Sequence, residues 1–213
     1  MKRTKTEYFI RLLLLTLGLI VAHLGVTLFV LANLGSDPFT TTVQGVSIQL
    51  GFPLGNVHMA ATALLIIIFA IFTRGYIKAG TFVCTLLGGP IINVFTWLLG
   101  DFINSSLPIW ARLIVAAMGC VVLAAGMSMV IKSDAGTGAN DLIAVIITDK
   151  IKKVQFRFIR MACDIIFTVA GFLLGGTVGV GTLIAVFLIG PVAQKCMPIS
   201  EKLVAKFISK DSI

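Results

Sequence analysis

Between Phe9 and Asn33 the chain carries one charged residue, Arg11, and between Ile109 and Ile131 again only one, Arg112. Runs of this length and apolarity need lipid as their solvent. In lipid no water serves the backbone, so every N–H and C=O must be paired within the structure, and only helices and closed barrels achieve that. Neither run alternates apolar and polar residues, and each exceeds the roughly 20 residues of a spanning helix. Composition agrees: 58% of the residues are hydrophobic and 12% charged, against roughly 25% charged in a soluble domain. The expectation is an all-α membrane protein, a single membrane domain over 1–213. Met1-Lys2-Arg3 before the first run imitates a signal peptide. The run is too long for a signal core and no small-x-small cleavage site follows it, so it reads as a retained first span.

The chain also repeats itself. At an offset of 101 residues, Gly18, Gly25, Gly35, Gly75, Gly80 and Gly89 fall on Gly119, Gly126, Gly136, Gly176, Gly181 and Gly190, and Arg11-Leu12 falls on Arg112-Leu113. Glycine makes up 21 of 213 residues, so chance would align about one. A constant offset marks an internal duplication: repeat one over 9–99, repeat two over 109–197. Each unit reads as a long helix (9–33, 109–131), a glycine-bearing polar break, a short helix (38–50, 139–149) and two further apolar helices (55–73 and 77–99; 157–174 and 177–197).

A helix of about 13 residues rises only about 20 Å, short of the roughly 30 Å hydrocarbon core. The first short segment is also polar, with Thr40, Thr41, Thr42, Gln44, Ser47 and Gln49. Charge placement gives an independent reading, because cytoplasmic loops collect Lys and Arg. If the short helices do not span, there are six spans with both termini inside, and of 17 Lys and Arg only Arg112 lies outside. If they do span, Arg74, Lys78 and Lys132 lie outside in place of Arg112, fourteen inside against three. The six-span plan is the better one. Three spans per unit is an odd number, so the second unit enters from the opposite face and the topology is inverted. Inverted repeats with short or broken helices place substrate sites at the repeat interface, which makes the two breaks the pointer to a site.

The candidate substrate- or ion-binding residues follow from that. Asp37-Pro38 is first an N-cap followed by a proline at the first helical position, and Asp37 is also a candidate for the pathway. In the second break, Gly136, Gly138, Asn140 and Asp141 combine backbone amides at a helix start with a carboxylate that suits a cation, a proton or an ammonium group. Arg160 and Asp164 are four apart on one helix face. Arg157 and Arg160 are near enough to the inner surface to snorkel; Asp164 lies a turn deeper and is too short to, and a carboxylate at that depth is costly unless paired or hydrated. It reads either as a substrate or proton site or as half of a pair locking the fold. His23, Asn93 and Gln194 are secondary candidates, the last two placed at the central interface, and His58 is a weaker one.

No catalytic residues are expected: there is no nucleophile triad, HExxH or paired-carboxylate pattern. Cys84, Cys120, Cys163 and Cys196 lie in or at the end of apolar segments without metal spacing, so no metal or cofactor is expected. The net charge of +8 belongs to segment ends facing anionic headgroups and not to nucleic acid. Residues 199–213 place Ile199, Leu203, Val204, Phe207 and Ile208 against Lys202, Lys206 and Lys210, the pattern of an amphipathic interfacial helix.

Gly35-Ser36-Asp37-Pro38-Phe39 with Gln44-Gly45, and Gly136-Thr137-Gly138-Ala139-Asn140-Asp141 with the run Leu174 to Thr182 ending at Gly190-Pro191, resemble the two repeat signatures of the YczE/YyaS/YitT family of bacterial membrane proteins, most nearly its YczE branch. Asp37-Pro38-Phe39 stands where that family often has Gly-Pro-Trp, and Ala139 where it often has Pro. The resemblance implies a bacterial plasma-membrane protein without known enzyme activity and leaves the substrate open. The leading expectation is a small-solute transporter working by movement of one repeat against the other. The alternatives are an accessory protein that scaffolds a membrane-associated enzyme, and a channel. Oligomeric state is not encoded in any of these features.

Overall fold

A computed structural model describes residues 4–73 and 76–210. Lys2, Arg3, Arg74 and Gly75, used above for charge placement and for the repeat, lie outside the described residues, as do 211–213. The described chain holds eight helices and no strand: α1 (Lys5–Ala32), α2 (Pro38–Leu50), α3 (Leu54–Phe72), α4 (Ala79–Leu99), α5 (Ile109–Ser133), α6 (Ala139–Lys150), α7 (Phe156–Leu173) and α8 (Val180–Lys210). Five of them, α1, α3, α4, α5 and α8, are long and apolar enough to cross a membrane. The protein is a multi-pass membrane protein. The sixth expected span, α7, is not in that set; its 18 residues include Arg157, Arg160 and Asp164. At 13 and 12 residues, α2 and α6 rise only about 18–20 Å.

The centre of the molecule is the α1–α5 crossing. A Cβ on Gly25 would stand 2.7 Å from the carbonyl oxygen of Gly119, and one on Gly126 would stand 2.6 Å from that of Gly18. Only glycine permits this approach, the small-residue packing that membrane helices use in place of a hydrophobic drive. Gly18 meets Gly126 and Gly25 meets Gly119, so the two helices run antiparallel. Around the crossing, Phe29, Ala124, Met127, Ala185 and Ile189 form the main buried cluster.

Other contacts come in exchanged pairs at the same spacing of 101. Arg11 Nη1 donates to the carbonyl of Ser133 (2.9 Å), and Arg112 Nε to that of Ala32 (2.7 Å). Each guanidinium closes the C-terminal end of the opposite long helix, where carbonyls lack intrahelical partners and partial negative charge collects. This is what holds Arg112, the one cation assigned above to the outer side. Gly80 N–H donates to Ala135 O (2.9 Å) and Gly181 N–H to Leu34 O (2.8 Å). Asn33 and Asp134 end α1 and α5 in the same left-handed conformation (φ 49° and 55°).

The tail departs from expectation. Residues from Ile199 do not form a helix of their own; they continue α8 through Pro191 and Pro198 without a break. Prolines are tolerated within membrane helices when neighbours satisfy the freed carbonyls, and here α5 supplies the neighbour. Ser128 and Ser200 hydroxyls bond at 2.8 Å, Lys132 pairs with Glu201 at 2.6 Å, and Val204 is buried. Ile199, Leu203 and Phe207 stay exposed.

Candidate functional site

The starts of α2 and α6 converge beside α1, α3 and α7. Asp37 caps α2: its Oδ2 accepts from the backbone N–H of Thr40 at 3.1 Å, and Pro38 follows at the first helical position. The α6 start has no side-chain cap at Gly138. Instead Asp141, in its first turn, takes the complementary place at the positive end of the helix. Gly35 and Gly136 make the turns into the two short helices with φ of 96° and 145°, conformations that L side chains rarely adopt.

Between these ends lies a cavity of about 40 Å³, lined among others by His23, Asp37, Thr40, His58, Asp141 and Arg160. Arg160 is buried and does not snorkel. Its Nη1 pairs with Asp141 and its Nε with Asp164, 3.0 Å from Oδ1. The guanidinium fork thus joins α6 to α7: Asp164 forms the pair with Arg160, and Arg160 lines the cavity. His23 Nδ1 lies 2.9 Å from the carbonyl oxygen of Leu19. A carbonyl can only accept, so Nδ1 carries the hydrogen and Nε2 of the neutral ring is an acceptor. His58 packs edge-on to His23 with ring centroids 5.4 Å apart, and Phe39 packs on His58 at the same distance. Gly88 of α4 makes room for them; a Cβ there would meet His23 Nε2 at 2.8 Å.

The charges do not balance. Asp37, Asp141 and Asp164 face one guanidinium, and His23, His58, Cys84 and Cys163 are titratable groups close to them. With neutral histidines and thiols, ionising all three carboxyls would leave two negative charges without a compensating cation. Buried charge without a partner costs several kcal/mol per ion. Asp37 Oδ1, Thr40 Oγ1, His58 Nδ1 and Asp164 Oδ1 are buried atoms without a hydrogen-bond partner, although Asp164 Oδ1 is held by charge to Arg160.

Of the residues singled out from sequence, His23, Asp37, Gly138, Asn140, Asp141 and Arg160 line this one cavity, with Asp164 behind Arg160. Gly136 lines a separate cavity of about 220 Å³ with Lys78, Asp134 and Asp149. Asn93 and Gln194 are elsewhere: Asn93 bonds Asn56 of α3, and Gln194 bonds Gln155 at the start of α7, both at 3.4 Å. They tie neighbouring helices within each half and do not face the centre. Sequence reasoning underweighted His58 and did not single out Thr62 and Thr85, which also line the cavity. The available signal was the pairing of polar residues four apart on apolar helices, His58–Thr62 and Thr81–Thr85, where each threonine hydroxyl bonds back to the carbonyl four residues earlier.

Comparison with known proteins matches residues 9–198 to the model of a family described as "Family of unknown function (DUF6198)". The chain is 26% identical to the Bacillus subtilis "Uncharacterized protein YyaS" over 197 residues, covering 92% of this chain and 94% of the relative. It is 26% identical to the B. subtilis "Uncharacterized membrane protein YczE" over 204 residues, covering 93% of this chain and 91% of the relative. An "Uncharacterized protein" of Haemophilus influenzae is similar at 26% over 190 residues, covering 89% and 84%. No solved structure matches.

Proposed function

From the premise that the chain belongs to the DUF6198 family of membrane proteins, we propose that it is a small-solute transporter of a bacterial plasma membrane. It is built from two inverted repeats with six crossings and both termini inside. The observation that carries this reading is the buried cavity between the starts of α2 and α6, lined by groups of both halves. The exchanged contacts at a spacing of 101 and the antiparallel α1–α5 crossing support a two-fold relation between the halves. That is the arrangement in which a midplane site alternates between faces.

The halves are not in equivalent positions. Thr42 Oγ1 donates to Phe167 O of α7, and past its C-terminal end Gln49 Nε2 donates to Leu174 O and Thr177 N–H to Gln44 Oε1, sealing α2 against α7 and the segment that follows it. Among the described residues no side-chain hydrogen bond joins the counterpart pair, α6 and α3. The 220 Å³ cavity opens on the α6 side. In a transport cycle the seal passes from one pair to the other.

The test is uptake and efflux in proteoliposomes across a solute panel, wild type against Asp164→Asn. Transport of some solute, reduced in the variant, is expected; an inert wild type counts against the reading. Side-specific labelling of Lys78→Cys, with the native cysteines replaced, checks the topology: reaction from the cytoplasmic face is expected, and reaction from outside defeats the inverted arrangement. A second reading, a scaffold for an acidic partner, draws on the exposed Lys202, Lys206, Leu203 and Phe207 of α8. Copurification of a partner that is lost on deleting 199–213, without a transport defect, favours it.

A further inference from the structure

We propose that the central cavity binds a small ammonium cation, ammonium itself or a primary amine of one or two carbons; this deepens the transporter reading and rests on it for the site's role. Size limits the occupant first. At about 40 Å³ the cavity has room for about three waters, since one water needs some 10–15 Å³ measured this way, and so for a ligand of one to three heavy atoms.

Hydrogen-bond chemistry comes next. On the lining residues, the atoms left without partners are Asp37 Oδ1, Thr40 Oγ1 and His58 Nδ1, each on a residue more than nine-tenths buried. His23 adds Nε2, left as an acceptor by the Nδ1 bond to Leu19. Several of the nearby donors are engaged by carboxylates. Arg160 is held by Asp141 and Asp164, and Asn140 Nδ2 donates to Asp141 at 3.1 Å. Asp37 Oδ1 as a carboxylate oxygen and His23 Nε2 accept only, and the Thr40 hydroxyl and the His58 ring each donate or accept, so the site suits an occupant with several N–H or O–H donors.

Charge supplies the third constraint. With all three carboxyls ionised, one guanidinium leaves a deficit of positive charge that a cationic donor would fill; with a neutral occupant the excess is removed by protonating carboxyls. Two histidines in the wall then separate the cations. Alkali and alkaline-earth ions are hard and take oxygen ligands, whereas an N–H donor bonds an imidazole lone pair as readily as a carboxylate. Phe39, packed on His58, adds an aromatic ring, a surface that attracts cations.

The probes are ammonium and methylammonium chloride against sodium, potassium and choline chloride at equal ionic strength. They are titrated calorimetrically into the purified full-length protein and followed by radiolabelled methylammonium uptake in proteoliposomes. Saturable ammonium and methylammonium binding is expected, with none for choline and at least tenfold weaker binding for sodium. In Asp37→Asn affinity falls at least tenfold while the helical signal is kept, because Asn caps a helix as well as Asp. His58→Gln, which keeps an acceptor, falls less. Several outcomes overturn the proposal: no saturable binding by wild type, sodium or potassium equal to ammonium, an unaffected Asp37→Asn, or proton exchange without any cation dependence. Failure of the transport reading looks different. Binding without uptake of any solute leaves the cation site standing and removes transport. Transport of another solute without ammonium binding does the reverse.

Discussion

Arg160 is the residue on which the polar centre depends. It satisfies Asp141 on one helix and Asp164 on its own. Replacing it with Met removes the only cation and leaves two buried carboxylates unpaired, a change that typically costs about 3–5 kcal/mol. Arg160→Met is therefore expected to lose most of its stability in detergent, read by thermal unfolding. Arg160→Lys should recover only part of the loss, since an ammonium cannot reproduce a planar fork to two carboxylates. A wild-type melting temperature in Arg160→Met removes this account. The Arg160–Asp164 pair was legible in the sequence because a spacing of four fixes a shared helix face. The bond from Arg160 to Asp141 was not, since it depends on how α6 lies on α7. His23 and His58 are separated in the same way: nothing local states that α1 and α3 bring two rings to 5.4 Å.

At the level of helices, the glycines carry the architecture. Gly25 and Gly126 occupy exchanged positions at the α1–α5 crossing, each with backbone of the other helix where a side chain would begin. Backbone cannot yield as a side-chain tip can. Gly25→Ala and Gly126→Ala are each expected to cost at least about 1–3 kcal/mol, by similar amounts. Gly51, with nothing near its missing Cβ, serves as the control, although its φ of 70° adds a small strain. Denaturant titration in micelles checks all three; a tolerated Gly126→Ala beside a damaging Gly25→Ala defeats the equivalence. The sequence disclosed which glycines correspond but not what they touch, because each packs against the other half. It located α2 and α6 to within a residue through Asp37-Pro38 and the Gly136–Gly138 break. It misjudged the end of α8: the amphipathic pattern of 199–213 suggested a separate helix, and only Ser128, Lys132 and the face of α5 show why the helix runs on.

For the molecule as a whole, the difference between the sealed α2–α7 pair and its unsealed counterpart gives a direct test of movement. Cysteines at Gln44 and Thr177, with Cys84, Cys120, Cys163 and Cys196 replaced, lie where a side-chain-to-backbone bond of 3.0 Å now joins the two segments. Oxidation is expected to abolish solute uptake, and reduction to restore it. Uptake that persists with the crosslink formed means α2 and α7 do not part during the cycle.

Arg11 and Arg112 each fasten the C-terminal end of the helix that carries the other. Neither half therefore holds its own closure, and loosening begun at one membrane surface is felt at the opposite one. The halves should melt together: a single cooperative transition, lowered by Arg11→Ala and Arg112→Ala alike, and never a folded first half beside a molten second.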